Sequence, residues 1–230
     1  ALRGDASDED EAFARELARG LGAEFLSLRL ERGDGRETPG SLSEGEAREL
    51  RYAAYRGWAA EHRLDCIATG HHREDQQETL LLRLCRGTGI AGLAGIPASR
   101  PLGVEAGGAR LIRPLLGWSR AELVQLLDDR GQSYRTDETN SSLEIPRNRV
   151  RHEVLPLLEE HVHPGVRSSL GHLAEQAAGL QGDLESLGAR ALAAARLAAA
   201  GEGVFLSLEE LRSWPRSVRR EVYAAAAREL

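Results

Sequence analysis

The chain has 230 residues, 41% hydrophobic and 29% charged, with a formal net charge of −6. That is enough to bury a core in one large or two small domains, and the balance is that of a globular protein rather than a fibre or a disordered tail. All 30 basic residues are arginine, which excludes a P-loop lysine or a Schiff-base lysine; the acidic excess argues against a generic nucleic-acid coat but leaves room for a local basic groove.

In chain order, Ser7-Asp8-Glu9-Asp10 predicts a helix capped by Ser7, with acids in its first turn, running to about Gly20. Glu24-Phe25-Leu26-Ser27-Leu28-Arg29-Leu30 has the length of a strand. After a polar turn region at 33–40, Ser41-Leu42-Ser43-Glu44 reads as a capping box. It opens a long helix to about His62, with Leu50, Ala54 and Trp58 on one apolar face. A short strand from Asp65 to Thr69 leads into a helix from His72 to about Arg86-Gly87. The glycine-rich stretch 87–97 reads either as a flexible loop capping that helix or as a close-approach surface for a ligand or RNA backbone.

Arg110-Leu111-Ile112-Arg113-Pro114-Leu115 reads as a last strand, and Ser119 as the cap of a helix to about Arg130. After Pro164 alanine and leucine dominate, with helical periodicity to about Ala200. Residues 203–208 read as a short strand or extended link, and Ser207-Leu208-Glu209-Glu210 caps another helix. Helices alternating with strands imply a parallel sheet of the doubly wound kind. Only two strands precede residue 100, so others are expected before residue 1, in a chain trimmed at both ends. The change of character sets an expected domain boundary at 155–165, giving an α/β domain over 1–160 and a helical one over 161–230.

No apolar run approaches the ~18–20 residues of a membrane span, and no signal peptide opens the chain. A cytoplasmic location with no membrane partner is therefore expected. Cys66 and Cys85 form no CxxC pair, which argues against a zinc ribbon or iron–sulfur site. Both are expected to pack in the core.

The chemistry concentrates in Ala68-Thr69-Gly70-His71-His72-Arg73-Glu74-Asp75-Gln76-Gln77-Glu78-Thr79. Two histidines, three carboxylates and two amides are costly to bury, and ligand sites in α/β sheets lie at the carboxyl ends of strands. On a helix, His72, Asp75, Gln76, Thr79 and Arg83 share one face, with Leu81, Leu84 and Cys85 opposite. That stripe is either the solvated side of an amphipathic helix or a phosphate-binding helix start, in which Asp75 orients a group or holds magnesium. Farther on, Arg147 and Arg151 share a helix face while Arg149 points elsewhere. These arginines either contact phosphates or pair with Asp137 and Glu153. Arg113 at a strand end is by itself an ordinary surface cation. No Ser-His-Asp order, metal quartet or dinucleotide glycine fingerprint is present.

Taken together, these blocks resemble the tRNA(Ile)-lysidine synthetase family of PP-loop ATP pyrophosphatases. The likeness runs through residues 2–160 in order: Leu2 to Asp8, Ala47 to Tyr52, Ala68 to Thr79, Arg83 to Gly89, Gly92 to Ile96, Arg113-Pro114-Leu115, Asp137 with Asn140, and Arg147 to Glu153 with Leu155 to Leu158. It implies a partial Rossmann-like sheet of the adenine nucleotide alpha hydrolase type with flanking helices, then a mainly helical tRNA-binding connector. It also implies a reaction: ATP activates the wobble cytidine of a CAU-anticodon tRNA(Ile), and free L-lysine displaces AMP to give lysidine.

On that resemblance Asp75, His71 and His72 would be catalytic. Ala68, Thr69, Gly70 and Arg113 would bind ATP or the adenylate. Arg83, Arg86, Asp137, Asn140, Arg147, Asn148, Arg149 and Arg151 would hold tRNA. Magnesium would accompany ATP, with no ligand assigned, and a homodimer is compatible with the reading. Two departures stand out. Glu74 occupies a position where the family has an aspartate, and the serine-glycine-glycine-x-aspartate-serine loop is absent from the sequence. Without that loop the chain as given is expected not to turn over ATP. The alternatives are an inactive RNA-binding fragment or another PP-loop tRNA-modifying enzyme, such as a tRNA thiolase.

Overall fold

In the computed structural model the described residues are 5–28, 44–136, 142–198 and 203–229. They divide into two compact units.

The first unit takes in Ala1–Gly70, Ala98–Leu115 and Ala121–Asp137. It holds helices α1 (Asp5–Gly20) and α2 (Glu44–Glu61), strands β1 (Cys66–Ala68), β2 (Ser99–Pro101) and β3 (Arg110–Ile112), a 3-10 turn at Val104–Ala106, and all but the first residue of α5 (Arg120–Asp129). The sheet order is β1-β3-β2. β1 runs parallel to β3, with Ile67 opposite Leu111, and β2 runs antiparallel to β3, with Arg100 opposite Leu111. Tyr52 and Ala59 of α2 pack on Leu102, Ala106, Ala109 and Leu111 to form the core.

Several expectations change here. α1 begins at Asp5, so Ser7 lies inside the helix rather than at its cap. The stretch from Glu24 to Leu28 is not a strand. A strand-length run becomes a strand only where a ladder partner exists, and Leu28 remains 52% exposed. The expected face of α2 at Leu50, Ala54 and Trp58 is only half-buried; Tyr52 and Ala59 are the buried positions. The last strand stops at Ile112, one residue after which Arg113 N–H still donates to Ala98 O (2.8 Å) before Pro114, which has no N–H to continue. β2 was not legible because Pro101 ends it, a residue tolerated only on an edge strand. Cys66 and Cys85 are exposed, not core. The expected turn at 33–40 and the capping serine Ser41 lie outside the described residues, as do Asp137 and Asn140.

The second unit takes in His71–Pro97, Leu116–Arg120 and Glu138–Leu230. It contains α3 (Arg73–Cys85), α4 (Ile90–Leu93), α6 (Pro146–Arg149), a π-helical turn (Val150–Val154), α7 (Leu155–His161), α8 (Val166–Ala195), α9 (Leu208–Ser213) and α10 (Arg216–Ala226). The π turn ends two residues before Pro156, which has no N–H to donate back to it. Leu80 of α3 is fully buried against Val150, Leu155, Leu170 and Ala174. A second cluster joins Ala191, Leu192 and Ala195 of α8 to Leu211 of α9 and to Val218, Val222 and Ala226 of α10. α8 stops at Ala195, where Arg196 forms an isolated bridge to Leu206. Ser207 caps α9 as its sequence predicts, accepting from Glu210 N–H at 3.3 Å. Among the described residues no helix is long and apolar enough to cross a membrane.

Gly188 marks where α8 and α10 touch. A Cβ there would lie 2.6 Å from Glu221 Cβ and 3.3 Å from its carbonyl carbon. Gly188→Ala should therefore push the two helices apart at a cost of about 1–3 kcal/mol. Thermal unfolding followed by circular dichroism checks this; an unchanged midpoint would mean that the close approach is not a packing constraint.

Candidate functional site

The start of α3 gathers the polar residues that the sequence singled out, and it does so through backbone first. His72 is the N-cap, in an extended conformation. Its N–H donates to Asp75 Oδ2 at 2.9 Å, the return half of a capping box that fixes the Asp75 carboxylate over the first turn. His72 Nδ1 lies 2.8 Å from Glu74 Oε2, and Nε2 lies 3.6 Å from Asp75 Oδ2. Glu74 also accepts from the backbone N–H of Arg120 with both oxygens, at 3.2 and 3.0 Å. Arg73 N–H donates to Trp118 O at 2.8 Å, and its guanidinium reaches Gly117 O. Glu74, which departs from the family pattern, thus anchors the loop at 117–120.

One turn farther along α3 lies the residue that sequence reasoning missed. Glu78 has no exposed surface. Arg151 grips it with Nε on Oε1 (2.6 Å) and Nη2 on Oε2 (3.1 Å), while Arg147 Nε donates to Oε2 at 2.7 Å. Arg147 Nη2 also reaches the Asp75 carbonyl (3.2 Å), Asp75 Oδ1 (3.3 Å) and Thr79 Oγ1 (3.4 Å). Arg151 lies 3.6 Å from Asp75 Oδ1. Burial pulls the Arg151 pKa down, but the hydrogen bonds and charge of Glu78, with Asp75 and Glu74 behind it, outweigh that and hold it above the usual arginine range. Arg147 and Arg151 thus meet Glu78 and Asp75 rather than Glu153, one of the partners their sequence neighbourhood suggests; Asp137, the other, lies outside the described residues. One signal could have found Glu78: it follows Asp75 by three, the spacing that puts two carboxylates on one helix face opposite two arginines spaced by four.

The rest of the expected stripe is tied to loops rather than solvated. Gln76 bonds the backbone of Ile96 in both directions, accepting at 2.5 Å and donating at 3.2 Å. Arg83 Nη1 donates to Gly92 O and Gly95 O at 2.9 and 2.7 Å, so it holds the glycine-rich segment in place. Gly95 has φ +66°, and a Cβ there would meet the Gln76 amide at 2.5 Å, so only glycine fits this contact. The buried face of α3 is Gln77, Glu78 and Leu80, whereas Leu84, expected inward, is 42% exposed.

Asn148 is buried and donates to Ser142 O at 2.9 Å. Arg149 is exposed, 3.9 Å from Glu153, and Arg86 is exposed past the end of α3. His71 is half-buried. In the first unit, Ala68 at the end of β1 and Gly70 beyond it are exposed, Thr69 N–H donates to Ile112 O at 3.0 Å, and Arg113 is 4% exposed. Among the described residues no group of three His, Cys, Asp or Glu side chains is arranged to hold a metal ion.

Removing Glu78 would leave two guanidiniums without their buried counter-charge. Glu78→Gln should destabilise the fold by about 3–5 kcal/mol, and Glu78→Gln combined with Arg151→Met should recover part of that loss. Urea denaturation of the single and double variants reads this directly. A Glu78→Gln midpoint equal to wild type would show that the ion cluster does not organise the site.

A family model described as a PP-loop domain matches residues 1–158. The tRNA(Ile)-lysidine synthase of Geobacter sulfurreducens is 38% identical over 232 residues, covering 98% of this chain and 46% of that protein. That of Symbiobacterium thermophilum is 43% identical over 174 residues, covering 76% of this chain and 35% of that protein. The chain thus spans under half the length of each of these two relatives. Among solved structures, the U34-tRNA thiolase NcsA from Methanococcus maripaludis, with its 4Fe-4S cluster, is similar at a TM-score of 0.55 and 18% identity, covering 73% of this chain and 55% of that one. At that identity the likeness concerns the fold alone. The relatives bear out the resemblance read from the motifs, and on a family match that takes in more than half of its residues this chain belongs to the PP-loop domain family.

Proposed function

We propose that this PP-loop chain serves the ATP-dependent ligation of L-lysine to the wobble cytidine of a CAU-anticodon tRNA(Ile), forming lysidine. The cytidine C2 oxygen is a poor leaving group. Transfer of AMP from ATP onto that oxygen, with release of pyrophosphate, makes it a good one. The lysine ε-amine then forms the C2–N bond, AMP departs with the C2–O bond pair, and a proton is lost from the amine. The protein's part is to position three substrates and to balance their charge.

The observation that carries this reading is the Asp75 carboxylate. It is fixed by the His72 N–H and by Arg147, with its side chain 14% exposed and so within reach of a substrate. In the proposed reaction Asp75 orients the lysine amine, with His71 and His72 beside the adenylate. Ala68, Thr69, Gly70 and Arg113 are assigned to ATP. Of the residues assigned to tRNA, Arg86 and Arg149 are exposed and suit direct phosphate contact. Arg147 and Arg151 act through Asp75, Arg83 shapes the glycine-rich segment, and Asn148 braces the turn at Ser142. Residues 161–230 follow the 1–160 domain as a tRNA-binding connector, in a cytoplasmic enzyme that is compatible with a homodimer. Asp75 already faces two guanidiniums, so the described acids do not fit a divalent ion, and magnesium is left to the nucleotide phosphates.

With the gene in its full coding context as the only source of lysidine in a bacterial cell, mass analysis of tRNA nucleosides should detect lysidine. Asp75→Ala should lower its formation by at least about 100-fold while circular dichroism shows the protein still folded. Wild-type lysidine levels in that variant would overturn the assignment of Asp75.

A further inference from the structure

The first unit gathers several arginines around one buried tyrosine. Tyr52, on α2, is 7% exposed. Arg48, one turn earlier, donates to its hydroxyl at 3.0 Å and lays its guanidinium carbon 4.8 Å from the ring centroid. Arg100, on β2, sits 4.8 Å from the same centroid. Arg113, after β3, places Nη2 at 3.5 Å from the hydroxyl and is 4% exposed. Three elements thus bring three guanidiniums to one phenol.

Some other arginines of this unit have acids. Arg135 pairs with Asp10 and Glu9 at 2.6 and 2.8 Å, and Arg56 lies 3.4 Å from Glu105. For Arg48 and Arg100, by contrast, no carboxylate partner is present among the described residues. A phenol is a weak acceptor, and like charges brought close together repel. The ionisation of the cluster carries the same signature. Burial pushes the Tyr52 phenol up, but the hydrogen bond from Arg100 and the charges of Arg48, Arg100 and Arg113 outweigh it and leave it below the usual tyrosine range. Burial, with Arg100 and Arg48 adding to it, lowers Arg113 despite its contact with Tyr52.

We propose that Arg48, Arg100 and Arg113, converging on the Tyr52 hydroxyl, form a receptor for a phosphate group. Fork-shaped guanidiniums suit phosphate oxygens, and Tyr52 supplies a hydroxyl donor between them. The phosphate comes either from a nucleotide tail or from an RNA backbone. The assignment deepens the reading above and rests on it for those two sources, while the receptor itself is tested with inorganic pyrophosphate.

The full chain is titrated with pyrophosphate by calorimetry, and tyrosinate absorbance is followed against pH, with Tyr52→Phe subtracted to isolate Tyr52. Bound anion disfavours the phenolate, so the Tyr52 midpoint should rise by about one pH unit. Arg48→Gln and Arg100→Gln should each weaken pyrophosphate about tenfold or more. Arg48 is exposed on α2, so its variant tests the site without threatening the core. Displacement of pyrophosphate by ATP assigns the site to the nucleotide. Displacement by an anticodon-stem RNA, with a steep salt dependence, assigns it to the backbone. No pyrophosphate binding, equal affinity in both glutamine variants, or displacement by neither competitor would overturn the proposal. None of these results bears on the Asp75 measurement, so the two readings fail separately.

Discussion

A carboxylate shut away from solvent, Glu78, governs the geometry around the start of α3. An ionised glutamate with no exposure needs counter-charge and full hydrogen bonding. Arg147 and Arg151 supply both, from 69 and 73 residues farther along the chain. The same two guanidiniums reach Asp75, so the position of this partly buried acid follows from the neutralisation of the fully buried one. A buried ion cluster of this kind is a weak source of net stability compared with apolar packing, and its more certain effect is to admit one arrangement. The apolar share of the work falls to Leu80, two residues on, which is fully buried against Val150, Leu155, Leu170 and Ala174. Segment 146–155 is therefore held to α3 twice, by charge and by packing.

The two concentrations of arginine differ in a way that separates structure from binding. In the second unit each well-placed guanidinium meets an acceptor: Glu78 and Asp75 for Arg147 and Arg151, backbone carbonyls for Arg83, Glu159 for Arg167. Such groups determine shape, and an incoming phosphate would have to displace what they already hold. In the first unit Arg48 and Arg100 meet Tyr52, with no carboxylate partner among the described residues. A cluster that is satisfied internally reads as architecture, and one that is left positive reads as a place for an anion.

The legible parts of this chain are those where local sequence decides. The helix at Arg73 follows from its cap, because His72 and Asp75 stand at the N-cap and N3 positions, and Ser207 and Glu210 repeat that logic at α9. The ordered motif blocks, rather than any single residue, carried the family. Glu78 was not legible because its partners are remote in sequence and a charge on a helix is ordinarily solvated. β2 was hidden because three residues ending in proline carry almost no strand signal. The run Glu24 to Leu28 misled for the converse reason: it has strand length, and local length does not provide a neighbouring strand. Cys66 and Cys85 misled because burial was inferred from residue type, whereas β1 is three residues long and turns Cys66 and Ala68 outward.

Charge counting within the α3 group links its architecture to the proposed chemistry. Glu74, Asp75 and Glu78 bring three negative charges, and Arg147 and Arg151 bring two positive ones. Among these carboxylates and guanidiniums one negative charge remains over, and it falls on the side of Asp75 and Glu74, since Glu78 is enclosed by both guanidiniums. A single cation of modest size balances such a group, and a phosphate does not. The arginines around Tyr52 present the opposite case, an excess of positive charge with a hydroxyl at its centre. In the proposed reaction the substrates are of opposite kinds, an amine-bearing lysine and phosphate-bearing ATP and tRNA. Sorting them by charge assigns lysine to Asp75 and a phosphate group to the first unit's arginines, beside the tRNA phosphates given to the exposed Arg86 and Arg149, because exchanging lysine and phosphate would set like charge against like in both places.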